Sequence, residues 1–283
     1  VMPRVTYGLE FVNVGTTNMR KLEVAHRTTL RNIQTLPRRT AIPALHILLG
    51  ALPIQAVIEQ KQMSTIVSLS FNKTILDVII RQLATKTQDS HSWVIATQKL
   101  LNKYQLPNFL EVIGSEIGKD AWKENVKDAV FRHWKAEIEE EASEKSTLKF
   151  LNPTFTKTAH NIWQSTTHDS RDVRRANTKV RLLTGTYILQ ATRAAFNQTK
   201  ITTCPLCNKA DEDTTHFLIE CEKLEARRRP IMKAIMSTIP MVYQNHPTHT
   251  QWPPNLITQL VLDPSHPSIS NILPLERSVL FEV

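Results

Sequence analysis

From Thr17 to Ile33, Met19, Leu22, His26, Thr29 or Leu30, and Ile33 recur near helical spacing, while Arg20, Lys21, Arg27 and Arg31 fall on the opposite face. That spacing predicts a basic amphipathic helix. Pro37 breaks it and Arg38-Arg39 follow. Thr40 is the expected cap of a short apolar helix around Ala44 to Leu49, and Gly50 ends that helix. Pro53 then opens another, with Ile54, Val57, Ile58 and Met63 facing inward. Further helices are predicted over Lys73 to Thr85 and Trp93 to Tyr104, with Pro107 as punctuation. The longest is expected from about Lys119 to Glu144, because Trp122, Val126, Val130, Trp134 and Ile138 lie at or near four-residue steps along one face. Its acidic end, Glu137 to Glu141, has the pattern of a solvated face.

Asn152 to Thr167, rich in Thr, Asn and Pro, has the composition of a connector and is the best candidate domain boundary. A second basic helix follows Asp169 or Ser170 as cap and carries Arg171, Arg174, Arg175, Lys179 and Arg181. Gly185 interrupts it, and a short helix runs to about Phe196. After the cysteines, Arg227, Arg228, Arg229 and Lys233 share one more helix. The stretch Asn245 to Pro274, dense in Pro, His and Thr, predicts loops linking short helices. Leu275 to Val283 is an amphipathic pattern without a cap, and Val1 precedes Met2, so a fragment of a longer reading frame is expected. No internal repeat is visible. The pattern as a whole predicts a mainly α chain.

Composition sharpens that picture. A length of 283 residues suits about two domains. Apolar residues at 41% allow a core, and only 6 glycines favour helices over a turn-rich sheet protein. A net charge of +9 attracts polyanions. Nucleic acid is the commonest of these, although an anionic membrane satisfies the same electrostatics. No run of about 18 apolar residues occurs, so no membrane-crossing helix is expected. The opening residues lack the pattern of a signal peptide.

The chemistry is concentrated in one place. All 3 cysteines lie within an 18-residue window that also holds a histidine: Cys204-Pro-Leu-Cys207, eight residues, His216, four residues, Cys221. An odd number of cysteines fits a disulfide framework poorly and points to metal in a reducing compartment. Zinc takes four such ligands at tetrahedral angles, which leaves no open position, so one structural zinc is the expectation. A helix starting near Thr214 or Thr215 would offer His216 and Cys221 from one side. A free-thiol cluster and a redox Cys-x-x-Cys pair are the alternatives. A redox pair needs neither His216 nor Cys221, and no βαβ pattern surrounds this one. Arg171, Arg174, Arg175 and Lys179 lie on overlapping helical faces, with Trp163, Tyr187, Phe196 and Phe217 nearby in sequence. Arginines among aromatics can neutralise phosphates and stack on unpaired bases. For any single residue, a solvated basic helix with core aromatics is the better account; for the ensemble beside the cysteine cluster, nucleic acid is favoured.

No apolar-flanked Asp-Asp pair, Gly-rich phosphate loop, Gly-x-Ser-x-Gly or His-Glu-x-x-His occurs. His91, His133, His160 and His168 have no partner at ligand spacing and are expected to be surface or packed histidines. No complete active site is legible.

Two segments carry a resemblance. Tyr7-Gly8-Leu9-Glu10, the basic helix, Arg31-Asn-Ile33-Gln-Thr-Leu36-Pro37 and Leu48-Leu49-Gly50-Ala-Leu52-Pro53-Ile54 follow one another in order. That succession resembles the region after the polymerase palm in reverse transcriptases of non-LTR (LINE-type) retrotransposons. Val180-Arg181-Leu182-Leu183-Thr184-Gly185-Thr186-Tyr187, the cysteine cluster and Arg227-Arg228-Arg229 look like the helical stretch and CCHC zinc knuckle near the C-terminus of the same proteins. The resemblance implies a thumb-like helical region over 1–70, a helical spacer over 71–150, and basic helices with a knuckle and tail over 151–283. It implies RNA or DNA as partner and a polymerase core upstream. It also implies an intracellular setting in nucleus and cytoplasm. The zinc ligands carry over to Cys204, Cys207, His216 and Cys221, whereas the family's catalytic aspartates would lie before Val1. The chain alone is therefore not expected to be an enzyme. Expected phosphate contacts are Arg174, Arg175, Lys179, Arg181, Arg227 and Arg228, with Arg20, Arg27, Arg38 and Arg39 lining the N-terminal part of the same path. Two rivals remain: a zinc-containing protein-interaction adaptor derived from such an element, and an active polymerase that borrows its aspartates from another chain.

Overall fold

The computed structural model describes residues 5–70, 72–88, 90–115, 117–198, 200–238 and 252–270. The uncapped pattern at Leu275 to Val283 and much of the Pro-rich tail lie outside them. The described part is mainly helical: α1 (Thr16–Ile33), α2 (Ile42–Leu49), α3 (Ile54–Ser64), α4 (Ile66–Ser70), α5 (Lys73–Thr85), α6 (Trp93–Lys103), α7 (Phe109–Gly114), α8 (Lys119–Ser143), α9 (Asn161–Gln164), α10 (Ser170–Leu183), α11 (Gln190–Ala195), α12 (Glu225–Thr238), α13 (Pro254–Leu262) and α14 (Pro267–Ser270). Among the described residues there is no strand, only an isolated antiparallel bridge between Thr203 and Asp211. None of these helices is by itself long and apolar enough to cross a membrane.

Two compact units emerge, one from Val1–Thr29 with Leu52–Ile138 and one from Leu30–Ala51 with Glu139–Val283. Helices α1 and α8 run through both divisions. The segment with connector composition, Asn152 to Thr167, lies inside the second unit.

In the first unit, the four-residue stripe of α8 does what its period predicts. Trp122, Val126 and Val130 are fully buried against Met63, Ile66, Leu101 and Phe109, and Trp134 packs on the same cluster half-buried. The break between α3 and α4 puts the Met63 carbonyl at a helix end, where a side chain can reach it. The Trp122 indole N–H donates to that carbonyl at 2.9 Å. After Pro107, Asn108 and Glu111 form a reciprocal capping box that starts α7. Beside this core, the buried Glu59 carboxylate accepts from Lys103 at 2.9 Å and from the Tyr104 hydroxyl. Burial, with Glu59 adding to it, pushes the Tyr104 phenol well above its ordinary range.

In the second unit, Thr40 does not cap α2. Its hydroxyl donates to the Pro37 carbonyl at 2.8 Å, and the N-cap is Ala41 with Pro43 in the first turn. Gly50 ends α2 at φ +60°, where a Cβ would stand 2.4 Å from the Thr158 carbonyl oxygen. The 152–167 segment thus lies against α2, and His160 N–H donates to Leu48 O at 2.9 Å. Gly50→Ala is expected to cost about 2 kcal/mol or more, from left-handed backbone strain and this contact. Chemical denaturation against the wild type measures it, and a neutral result would refute the packing. Glu139, expected in a solvated run, instead accepts the Phe155 N–H at 2.7 Å, and Phe155 is fully buried.

Candidate metal centre

The first half of the centre is a backbone knuckle. Cys204 N–H donates to Ala210 O and Glu212 N–H to Thr202 O, both at 2.8 Å, flanking the Thr203–Asp211 bridge. Asn208 N–H returns to Cys204 O at 2.9 Å and closes the turn that presents both thiols. Asn208 itself sits at φ +57°, a left-handed conformation that asparagine tolerates. The turn aims the next backbone N–H groups at the Cys207 sulfur. Hydrogen bonding from Lys209 N–H, helped by Ala210 N–H, holds the Cys207 thiol down to about 7. Burial pushes the Cys221 thiol up.

The second half is the short helix expected from Thr214 or Thr215, in a π rather than an α turn. Residues five apart on an α-helix point about 140° away from each other. The chain solves this with a π-helical turn, His216–Glu220, closed by Cys221 N–H to His216 O at 2.8 Å. The wider turn brings His216 and Cys221 to one side. Asp213 starts it by accepting the His216 N–H at 2.8 Å.

The four ligand atoms lie within 4.8 Å of one another. Cys204 Sγ and Cys221 Sγ are 3.9 Å apart, and Cys207 Sγ is 3.3 Å from His216 Nε2. A tetrahedral ion with metal–sulfur bonds near 2.3 Å and metal–nitrogen bonds near 2.05 Å has ligand edges of about 3.8 Å and about 3.6 Å. The residues therefore fit a four-coordinate metal ion, and the sulfur separation is far too long for a disulfide. Cys204, His216 and Cys221 are buried and Cys207 half-buried. Thiolates gathered out of water repel one another, and a cation offsets that cost.

Outer groups brace the ligands. Glu220 faces the other ring nitrogen of His216 at 3.8 Å. Lys209 and Glu222, each two residues or fewer from a ligand, pair at 2.8 Å across the two halves. Arg228 of α12 donates to the Cys221 carbonyl and pairs with Glu225 at 3.5 Å. Glu212 accepts the Gln190 N–H at 2.9 Å and so caps α11. Sequence reasoning missed the Thr203–Asp211 bridge, Asp213 and Glu212; the β-branched run Ile201-Thr202-Thr203 was the available signal.

The basic residues separate into two groups. Arg38, Arg174, Arg175 and Arg227 in the second unit, and Arg20 in the first, are exposed. Exposed Arg174 and Arg175 also bond within their own helix, to Ser170 O at 3.2 Å and to Asp172 at 3.4 Å. The others are half-buried and hold protein groups. Arg39 donates to Thr186 O at 2.9 Å and lies 4.8 Å over the Phe196 ring. Arg181 donates to Thr35 O at 2.8 Å, Arg27 pairs with Glu23 at 3.2 Å, and Arg228 serves the metal segment. Lys179 is half-buried, and desolvation lowers its pKa against the opposing pull of Asp263.

Three thiols and an imidazole converging from a turn-borne pair and a π-turn form a Cys3His cluster that could hold a metal ion, built into a mainly helical chain. No protein-family model, no curated protein and no solved structure matches this chain.

Proposed function

We propose that this chain is a zinc-ordered, nucleic-acid-binding region that grips RNA or DNA, of the kind that accompanies a retrotransposon reverse transcriptase, without a polymerase centre of its own. The nitrogen and sulfur donors, with all four positions supplied by the protein, favour zinc in a structural role. The observation that carries the reading is the Arg228 bond to the Cys221 carbonyl, which couples the last metal ligand to the arginine-bearing helix α12. Metal binding then orders the helix that presents Arg227. Phosphate contacts fall to the exposed cations Arg174, Arg175 and Arg227, with Arg38 and Arg20 in support.

The test is binding to single-stranded and duplex RNA and DNA across a salt series, with zinc and with chelator. Changing Arg174, Arg175 and Arg227 together to alanine is expected to reduce the log–log salt slope for a single strand by about 2. An unchanged slope, or binding indifferent to chelation, would sink the proposal. A second reading, a protein-interaction adaptor, is favoured by the exposed apolar side chains Ile188, Ile201 and Leu206 on and beside the metal segment. Zinc-dependent folding without salt-sensitive nucleic-acid binding is the outcome that selects it.

A further inference from the structure

The first unit contains a cleft of ~710 Å³ between α1, α3 and α6, closed at its sides by the segments at Asn13–Val14 and Ser90–His91. That volume lies within the usual range for small-ligand sites. Its charges are unequally satisfied. Both acidic side chains of the lining are already neutralised. Glu23 pairs with Arg27 at 3.2 Å and accepts the Gln55 N–H at 2.9 Å. Glu59 takes Lys103 at 2.9 Å and the Gln55 side-chain amide at 2.8 Å. Arg20 and Lys99, also in the lining, are exposed and have no carboxylate partner among the described residues. Arg27 adds a buried Nε with no hydrogen-bond partner among them. One wall is apolar, from half-buried Val14, Met19, Ala96 and Leu100.

Uncompensated cations at the mouth, an apolar wall and acceptor oxygens deeper in suit an anion attached to a flat, weakly polar body. We propose that this cleft binds the phosphate of a nucleotide, with Arg20 and Lys99 on the phosphate and the base against Met19 and Leu100. The cations deeper in are already paired with Glu23 and Glu59, so the phosphate stays at the mouth and the neutral base enters. Guanidinium and ammonium groups bind phosphate through charge-assisted hydrogen bonds. Arg20 is shared with the nucleic-acid reading above; Lys99 and the cleft are not, and no step depends on the metal.

The experiment is calorimetric titration of the full chain with adenosine 5′-monophosphate, adenosine and inorganic phosphate. The monophosphate is expected to bind at least about tenfold more tightly than adenosine or phosphate. Arg20→Ala with Lys99→Ala is expected to remove at least about tenfold of that affinity and leave adenosine binding unchanged. Arg20→Lys with Lys99→Arg keeps the charges and should restore it. Equal binding of adenosine and its monophosphate, no binding of the monophosphate at millimolar concentration, or an unaffected double-alanine variant would each overturn the proposal. Competition with a 5′-phosphorylated single-stranded octanucleotide separates the sources. Displacement of the monophosphate assigns the cleft to a strand phosphate, and no displacement assigns it to a free nucleotide. Chelation should abolish strand binding at the metal region but not monophosphate binding, so the two readings fail separately.

Discussion

Chelation, or the change Cys221→Ser, is expected to unfold the segment from about Thr202 to Leu224 while the core around Trp122 stays protected. Apart from the Cys3His quartet, the segment is held mainly by polar contacts, such as Gln190 to Glu212 and Thr215 to Asn255, and by the Tyr187–Phe217 ring contact. Its backbone is a single bridge, a knuckle turn and a π-turn, and Leu206 and Ile201 are exposed rather than packed. A structural ion of this coordination contributes on the order of 10 kcal/mol of binding free energy, which here is local folding free energy. Hydrogen exchange resolved by segment, together with a stoichiometry of one ion per chain, measures the effect. Loss of protection should spread into α12 through Arg228, and α1 to α7 should be spared. Amide protection over Thr202 to Leu224 that persists in chelator would show that the thiols and imidazole converge without needing a metal.

The second large effect is expected from Asp263→Ala, at about 3–5 kcal/mol, the range for removing one partner of a buried ionic network. Asp263 is fully buried beyond the end of α13. Its carboxylate accepts the Asn152 N–H at 2.8 Å and both the N–H and the hydroxyl of Ser265, and His160 Nε2 lies 3.3 Å away. Burial alone would raise this carboxyl. The His160, Ser265 and Asn152 interactions outweigh it and hold the group below the ordinary carboxylate value. A depressed folded-state value gives stability that is complete above the unfolded value and is lost as pH falls through the folded one. The wild type should therefore weaken as pH drops below about 4, and Asp263→Asn should lack that part of the slope. Denaturant unfolding at a series of pH values checks both. Matching acid slopes in the two proteins would show that Asp263 is not the group responsible.

Much of the local structure was legible in the chain. Lys73–Thr85 is helical over the residues that its period marked, and the Trp122–Ile138 stripe of α8 is the face that packs. The four candidate metal ligands were legible because their residue types are scarce and their spacing is short. The short helix expected from Thr214 or Thr215 is present and offers His216 and Cys221 from one side, but its π-helical widening was not legible. Sequence reasoning also placed Lys179, Arg39, Arg181 and Arg228 among free cations.

Period and ligand spacing are properties of neighbouring residues, so the sequence by itself determined most of the longer helices, their apolar stripes and the candidate metal quartet. Tertiary structure alone decided the fate of the cations and the role of 152–167. Arg39 meets the Thr186 carbonyl across 147 positions, and Asn152 meets Asp263 across 111. A backbone carbonyl is an acceptor that almost any residue supplies, so no pattern in the chain announces which guanidinium will find it. Only the folded backbone brings such pairs together, and in doing so it separates the arginines that hold the protein from those left to face solvent.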